Sequence, residues 1–252
     1  MDYLIVYGYI FLVGITFGSF FNVVGLRVPQ GESIVRPRSA CPNCGHTLTP
    51  LELIPILSYV MQRGKCKNCG TKISPFYPMV ELMTGLLFMM TVWLSGWNGE
   101  TLIVLALVSL FMIIFVSDMK YMIIPDKVLA FFAILFAVGR LFIPLTPWWD
   151  SILGSLVGFS VLLLIAVLSK GGMGGGDIKL FAVIGLVTGV QGVLLAFFYS
   201  CFIGAVVGIG LRIAGIAKKG KPIPFGPFIV AGTLFSLFWG EMLFSMYLDL
   251  LR

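Results

Sequence analysis

The sequence of 252 residues has few charged side chains. Asp, Glu, Lys and Arg make up 11% of it, where a soluble globular chain has about 25%. It contains a single histidine, while 59% of its residues are hydrophobic. This composition excludes a disordered chain and an ordinary soluble enzyme. The net charge of +6 would suit nucleic acid, but the basic residues lie between apolar runs and form no patch, so nucleic acid is not an expected partner.

Long apolar runs dominate the chain, and each is bounded by Gly, Pro, Asn or a charged residue. The runs cover residues 3–26, 79–95, 101–117, 127–145, 151–169, 178–190, 193–214 and 225–248. Because roughly 20 apolar residues cross a bilayer as a helix, the sequence predicts an all-α polytopic membrane protein with about eight transmembrane helices. Seven spans would result if the short run 178–190 continued into 193–214 across the weak break at 188–192.

The basic residues predict the orientation of the chain. If the segment 27–78 is cytoplasmic, all but two of the 17 Lys and Arg residues lie on the inner side, leaving Arg140 and Arg252 outside. We therefore expect three parts. These are a first transmembrane helix over 1–26, a cytoplasmic segment over 27–78 and a transmembrane domain over 79–252.

The cytoplasmic segment contains four of the five cysteines. They form two Cys-x-x-Cys pairs, Cys41 with Cys44 and Cys66 with Cys69, and a glycine follows each pair. Two such pairs can surround one tetrahedral Zn²⁺ ion, and four thiolates would leave no open coordination position, so the site is structural. Redox-active dithiols and plain free cysteines are the alternatives, whereas cytoplasmic disulfides are disfavoured.

Three acidic residues lie at the predicted inner ends of spans, where ionisable groups are costly and often functional. Asp126 follows Pro125 and is interpreted as a helix N-cap in preference to a catalytic group. Asp118 lies at a helix C-terminus, where the helix dipole disfavours an anion. Asp177 follows a glycine-rich segment that exceeds what a cap requires.

Asp118 and Asp177 are expected at the same membrane depth, and two adjacent carboxylates suit aspartic proteolysis, in which the pair shares one proton. The sequence makes this geometry possible without requiring it. The main rival interpretation is a polytopic ion- or proton-coupled transporter with a structural zinc loop. A membrane scaffold that binds partners through its zinc site is the second rival.

Along most of its length the sequence resembles the bacterial type IV prepilin peptidases, also called leader peptidases, which are membrane aspartic proteases of the GxGD type. The matching motifs, in order, are Gly14-x-x-x-Gly18-Ser19-Phe20-x-Asn22-Val23, Arg27-x-Pro29, Ser39-x-Cys41-Pro42-x-Cys44, Leu53-Ile54-Pro55-x-x-Ser58, Gly64-Lys65-Cys66-x-x-Cys69, Tyr77-Pro78-x-Val80-Glu81, Asp118, Ile124-Pro125-Asp126, Gly172-Met173-Gly174-Gly175-Gly176-Asp177-x-Lys179-Leu180 and Pro224-Phe225-Gly226-Pro227.

The resemblance implies a multi-pass protein of the bacterial inner membrane, with its active site on the cytoplasmic side and with prepilins or pseudopilins and membrane lipid as partners. It implies cleavage of the short basic leader of these substrates by Asp118 and Asp177. Residues expected to assist are Asp126, Lys179, Gly174, Gly176 and Asn22.

Family members with four cysteines usually also methylate the new N-terminal residue with S-adenosylmethionine. The resemblance therefore implies an N-methyltransferase activity, which the residues alone do not indicate. We expect its site within 27–81, with Gly64, Lys65 and Glu81 as candidates.

Overall fold

The computed structural model describes residues 2–170, 172–215 and 223–250; Arg252, one of the two basic residues predicted outside, lies beyond these ranges. Within them the regular structure is helical, apart from two isolated β-bridges that pair Ala40 with Thr47 and Lys65 with Lys72. The helices are α1 (Asp2–Arg27), α2 (Leu57–Met61), α3 (Phe76–Ser95), α4 (Gly99–Tyr121), α5 (Asp126–Phe142), α6 (Asp150–Leu168), α7 (Gly175–Ile213) and α8 (Gly226–Leu250), with 3₁₀ turns at Val28–Gln30 and Pro50–Leu53. The predicted all-helical class is confirmed.

Five of the described helices, α1, α3, α4, α6 and α7, are long and apolar enough to cross a membrane. The apolar part of α8, Gly226–Gly240, is shorter, and α5 has 17 residues. Because α7 is broken near its middle, the described helices supply a helical segment for each of the eight predicted apolar runs. The chain is a multi-pass membrane protein.

The break in α7 lies at Gly189, within the predicted interval 188–192. Its backbone has φ +71°, a conformation that favours glycine, and a Cβ atom there would overlap the carboxylate of Asp150. The amide of Val190 donates a hydrogen bond to Asp150 Oδ1 at 3.3 Å. Asp150, the first residue of α6, thus provides a partner for a backbone donor that the break releases.

The chain divides into two compact units, residues 1–116 and 117–252. In the first unit α1 packs against α3, and the two backbones approach closely at glycines. A Cβ atom on Gly14 would lie 2.8 Å from Gly85 Cα, and one on Gly18 would lie 2.8 Å from Glu81 Cα. Small residues at this spacing are typical of membrane helix pairs, which depend on close packing.

In the second unit α7 packs against α5, α6 and α8. The contact with α6 is closest at Gly154 and Gly185, where a Cβ atom on either residue would overlap the backbone of the other helix. The buried Arg140 of α5 donates hydrogen bonds to the carbonyl oxygens of Ile143, at 3.2 Å, and of Val187. These contacts set the position of the first half of α7.

Replacing Gly185 with Ala should destabilise the protein, because the added methyl group must push α6 away from α7. Overpacking of this kind costs about 1–3 kcal/mol. The measurement is the apparent melting temperature in detergent. The matched control is Gly208→Ala, also in α7, where a Cβ atom would meet nothing within 4 Å. Equal melting temperatures for the two variants would contradict the close packing of α6 and α7.

Candidate functional site

Asp118 lies in the last turn of α4 and is 6% exposed. Its Oδ2 atom accepts a hydrogen bond of 2.8 Å from the backbone N–H of Gly226, the first residue of α8. A helix N-terminus favours a neighbouring anion through its free N–H groups and its dipole. The start of α8 therefore compensates for the unfavourable position of Asp118 at the end of its own helix.

Gly226 is required at this contact, because a Cβ atom there would lie 2.7 Å from Asp118 Oδ2. Gly226 belongs to the motif Pro224-Phe225-Gly226-Pro227, from which no role is predicted for it. The sequence feature that could have indicated a role for Gly226 is its position between Phe225 and Pro227, at the start of an apolar run.

Asp177 lies in the first turn of α7, directly after the N-cap residue Gly174 and its two following glycines. Its carboxylate accepts a hydrogen bond from the Gly174 backbone and lies close enough to Asp118 for the two charges to interact. The structure thus brings together the two acids on which the protease interpretation depends, although they are 59 residues apart in the sequence.

The glycines before Asp177 allow its backbone to approach neighbouring groups closely. A Cβ atom on Gly174 would lie 3.2 Å from Asp177 Oδ2, and one on Gly176 would lie 2.9 Å from the Cβ atom of Ile124. Ile124 belongs to the short connection between α4 and α5, where the Ser117 hydroxyl also donates a hydrogen bond to the Ile123 carbonyl oxygen. The first turn of α7 therefore packs directly on this connection.

The interpretation of Asp126 as a helix N-cap is wrong. Helix α5 begins at Asp126 itself, its cap residue is Pro125, and no side chain caps it. The Asp126 carboxylate instead receives both of its hydrogen bonds from Lys179 Nζ, at 2.7 and 2.9 Å. Both side chains are exposed, so this ion pair contributes at most about 1 kcal/mol to stability.

The four cysteines Cys41, Cys44, Cys66 and Cys69 form one cluster, with all four Sγ atoms within 4.8 Å of one another. The Sγ atoms of Cys41 and Cys69 are 3.8 Å apart, and those of Cys44 and Cys66 are 4.0 Å apart. Tetrahedral zinc with Zn–S bonds of about 2.3 Å separates its sulfurs by about 3.8 Å. The cluster therefore has the dimensions of a Cys₄ zinc site.

Each cysteine pair forms a tight turn that directs donors at sulfur. Gly45 and Gly70 end the two turns with φ values of +69° and +71°. The amide groups of Asn43 and Asn68 each point to a sulfur of the other pair, Cys69 and Cys44 respectively, at 3.6 Å. Hydrogen bonding from Thr71, and secondarily from Asn43, lowers the pKa of the Cys69 thiol to about 5, which favours the thiolate that a metal binds.

The single histidine, His46, follows the first cysteine pair in the sequence, but its hydrogen bond is to Glu52 and not to a cysteine. His46 Nε2 is 3.2 Å from Glu52 Oε2, which also accepts hydrogen bonds from the backbone and side chain of Thr49. These Thr49 contacts, together with His46, lower the pKa of Glu52 to about 2. Glu52 lies three residues after Thr49, and the two side chains form a capping box at the start of the 3₁₀ turn Pro50–Leu53.

The three candidates for methyl transfer do not share one cavity. Glu81 lines a cavity of about 470 Å³ in the first unit, together with Asn22. Gly64 and Lys65 line a neighbouring cavity of about 390 Å³. Asn22 donates a hydrogen bond of 3.2 Å to the carbonyl oxygen of Tyr77, which is the contact with a neighbouring helix that is common for asparagine in membrane proteins.

Comparison with known proteins agrees with this arrangement. Residues 12–95 match the Bacterial Peptidase A24 N-terminal domain, and residues 105–209 match the Type IV leader peptidase family. A protein of Bacillus subtilis (strain 168) named prepilin leader peptidase/N-methyltransferase is 44% identical over 96% of this chain and 97% of its own length. No solved structure matches the chain significantly.

More distant relatives carry the same name. The protein of Aeromonas salmonicida (strain A449) is 32% identical over 95% of this chain and 93% of its own length. That of Pseudomonas aeruginosa PAO1 is 31% identical over 94% of this chain and 92% of its own length. With both parts of the chain matched and relatives aligned along almost its whole length, the chain belongs to the type IV leader peptidase family.

Proposed function

We propose that this protein removes the short basic leader from prepilins and pilin-like proteins and then N-methylates the new N-terminal residue. We place it in the bacterial inner membrane, with catalysis at the cytoplasmic face. The observation that carries the peptidase proposal is the pairing of Asp118 with Asp177 at the ends of two apolar helices. The methyltransferase proposal comes from the names of the relatives.

The two acids act as an aspartic dyad that holds one proton, since two like charges at this separation disfavour double ionisation. The ionised carboxylate takes a proton from water, and the water oxygen forms a bond to the scissile carbonyl carbon. The protonated partner donates a hydrogen bond to the carbonyl oxygen. When the C–N bond breaks, the departing nitrogen takes up a proton, and the dyad again holds one.

The distribution of charge supports the proposed cytoplasmic placement of the site. Almost all Lys and Arg residues fall on one side of the predicted topology, together with Asp118 and Asp177. A prepilin has its basic leader on this side and its apolar helix in the bilayer, so the cleaved bond would lie at the depth of the two acids. Membrane lipid would surround both the apolar helix of the prepilin and the transmembrane helices of this protein.

The residues around the dyad have supporting roles. Gly174 leaves room for the Asp177 carboxylate, and Gly176 lets the first turn of α7 pack on Ile124. The Asp126–Lys179 ion pair links the start of α5 to that turn. An ion-coupled transporter is not favoured. Its sites usually lie near the midplane of the membrane, whereas both acids are at helix ends.

We propose that Cys41, Cys44, Cys66 and Cys69 hold a structural Zn²⁺ ion. The sulfur separations fit tetrahedral zinc, and the turns direct amide donors at the thiolates. When bound, the ion closes the segment 27–78 into a subdomain without supplying an open coordination position.

S-adenosylmethionine is the methyl donor in this proposal. When bound, it supplies an electrophilic methyl group on a sulfonium sulfur. The N-terminal amine left by cleavage would form a bond to that methyl after losing a proton, while the methyl–sulfur bond would break and leave a neutral thioether. Glu81 is the candidate with a buried carboxylate, whereas Lys65 is exposed.

Replacing Asp118 or Asp177 with Asn should lower the rate of leader removal by at least about 100-fold, because Asn can neither take nor hold the catalytic proton. The measurement is single-turnover cleavage of a purified prepilin, with melting temperature as the check on folding. Asp249→Asn, at an exposed position of α8, is the matched control. Cleavage that survives in either dyad variant would exclude this pair and bring Asp126 forward.

Replacing Gly226 with Ala should impair cleavage without removing either acid, because the new Cβ atom displaces the Asp118 carboxylate. Misplacing a catalytic group by about 1 Å can cost on the order of 100-fold in rate. We expect the loss in kcat with little change in KM. Gly210→Ala in α7, where a Cβ atom meets nothing within 4 Å, should cleave normally. Normal kcat in Gly226→Ala would disprove the positioning role.

The purified protein should contain one zinc ion per chain, measured by plasma mass spectrometry. Cys44→Ser and Cys69→Ser should lose the metal and become sensitive to limited proteolysis within 27–78, because removing one ligand opens the site. The matched control is Cys201→Ser in α7, which lies outside the cluster and should keep its zinc. Wild-type protein that is folded and metal-free would rule out the zinc proposal.

A further inference from the structure

The short helix α2 presents its apolar side chains away from the unit to which it belongs. Leu57, Val60 and Met61 follow the i, i+3, i+4 spacing of one helix face, and they are 52%, 64% and 76% exposed. Ser58 and Tyr59, which both carry hydroxyl groups, instead line the cavity of about 470 Å³ inside the unit. A helix in contact with water normally has the opposite arrangement, so this exposed apolar face needs a partner that covers it.

Contacts on both sides of α2 fix the direction of this apolar face. Ile56, directly before the helix, has φ +59°, a conformation that is unfavourable for a β-branched residue. Its amide donates a hydrogen bond of 2.8 Å to the buried carboxylate of Glu81 in α3. Arg63, two residues after the helix, also has a positive φ, of +52°, and the Tyr59 hydroxyl donates a long hydrogen bond of 3.5 Å to the Ile73 carbonyl oxygen. The outward display of the apolar face is therefore held by the surrounding structure.

Basic side chains follow this face along the chain. Arg63, Lys65 and Lys72 line the neighbouring cavity of about 390 Å³, and its lining residues include no acid. None of these three side chains forms an ion pair or a hydrogen bond with a residue that the structure describes. Residues 28–75 contain six basic residues and two acidic ones, of which Glu52 is already hydrogen-bonded. An apolar face beside positive charge that the protein does not neutralise suits an anionic lipid surface.

The chain connectivity places this surface next to the bilayer. The wall of the basic cavity includes Ser74 and Pro75, and Pro75 is the N-cap residue of α3, a helix long and apolar enough to cross a membrane. Helix α1, a second such helix, ends at Arg27 and packs along α3. The segment between these two helices therefore begins and ends at the same membrane surface, within reach of the lipid headgroups.

We propose that α2 is an interfacial helix, which docks the cysteine-carrying segment on the bilayer. Its apolar face lies among the acyl chains just below the headgroups, and the basic cavity beside it binds the phosphate of an anionic phospholipid. The leaflet concerned is the inner one in the topology proposed above. This inference depends on neither the peptidase nor the methyltransferase activity, because it concerns only how the segment 27–78 contacts lipid.

The docking of α2 is tested by photolabelling the purified full-length chain in nanodiscs. The discs contain phosphatidylglycerol with a photoreactive group near the top of one acyl chain, and labelled positions are identified by mass spectrometry. We expect labels within Leu57–Met61, with the exposed Leu82 and Leu86 of α3 as internal positive controls. The double variant Val60→Asp, Met61→Asp should lose at least about fivefold of the α2 label and keep the α3 label, because it removes the apolar face. Its zinc content and melting temperature check folding.

The basic cavity is tested by the affinity for phosphatidylglycerol, measured as lipid retained in native mass spectrometry. Arg63→Gln and Lys72→Gln should each weaken retention about fivefold, the effect of one basic group near an anionic lipid. Arg36→Gln and Arg38→Gln are the matched controls, because they remove the same charge at exposed positions of the same segment outside both cavities. The controls should retain lipid like wild type.

Four results would overturn the proposal. If α2 stays unlabelled while Leu82 and Leu86 are labelled, its face does not contact lipid. If α2 becomes covered only in discs that hold two chains, or only after a prepilin is added, its partner is a second copy or the substrate. If inorganic phosphate displaces the retained lipid as well as added phosphatidylglycerol does, the cavity is a site for soluble anions. If the Arg36 and Arg38 controls weaken retention as much as the cavity variants, the attraction is a general effect of charge and the cavity is no site.

Discussion

The hydrogen bond from the Gly226 amide to Asp118 joins the end of α4 to the start of α8. An ionisable group at the end of an apolar helix needs a polar partner, because an unpaired charge away from water is costly. Here the partner is a backbone N–H at a helix N-terminus, which cannot move without moving α8. Since α8 packs on α7, and the first turn of α7 carries Asp177, the position of each acid depends on the same helix contacts.

Besides donating the hydrogen bond at Gly226, glycine allows close contact between helices, because two backbones can meet where side chains would keep them apart. Between membrane helices there is little hydrophobic driving force, so close packing holds them together. Gly14 with Gly85 joins α1 and α3, Gly154 with Gly185 joins α6 and α7, and Gly176 lets α7 pack on Ile124.

The helices could be predicted because an apolar run of this length can cross a membrane in few conformations other than a helix. The break at Gly189 lies in the predicted interval 188–192, where polar and small residues interrupt the apolar run. The cysteine cluster followed from residue type and spacing, whereas for Asp118 and Asp177 the residues made the pairing possible and the family resemblance assigned it. Contacts between distant positions could not be predicted. Lys179 lies 53 residues from Asp126 and Gly226 lies 108 residues from Asp118, so no local pattern reports either partnership. The local rule for Asp126 failed because its carboxylate binds the ammonium group of Lys179 in α7 and does not cap α5.

In the proposed function, one chain both hydrolyses the leader bond and methylates the amine that hydrolysis exposes. The most direct test is the intact mass of a prepilin after incubation with the purified wild-type protein and S-adenosylmethionine. We predict a product that has lost its leader and gained the mass of one methyl group, located on the new N-terminal residue by fragmentation. A prepilin of unchanged mass, across several different prepilins, would contradict the proposed leader cleavage and methylation.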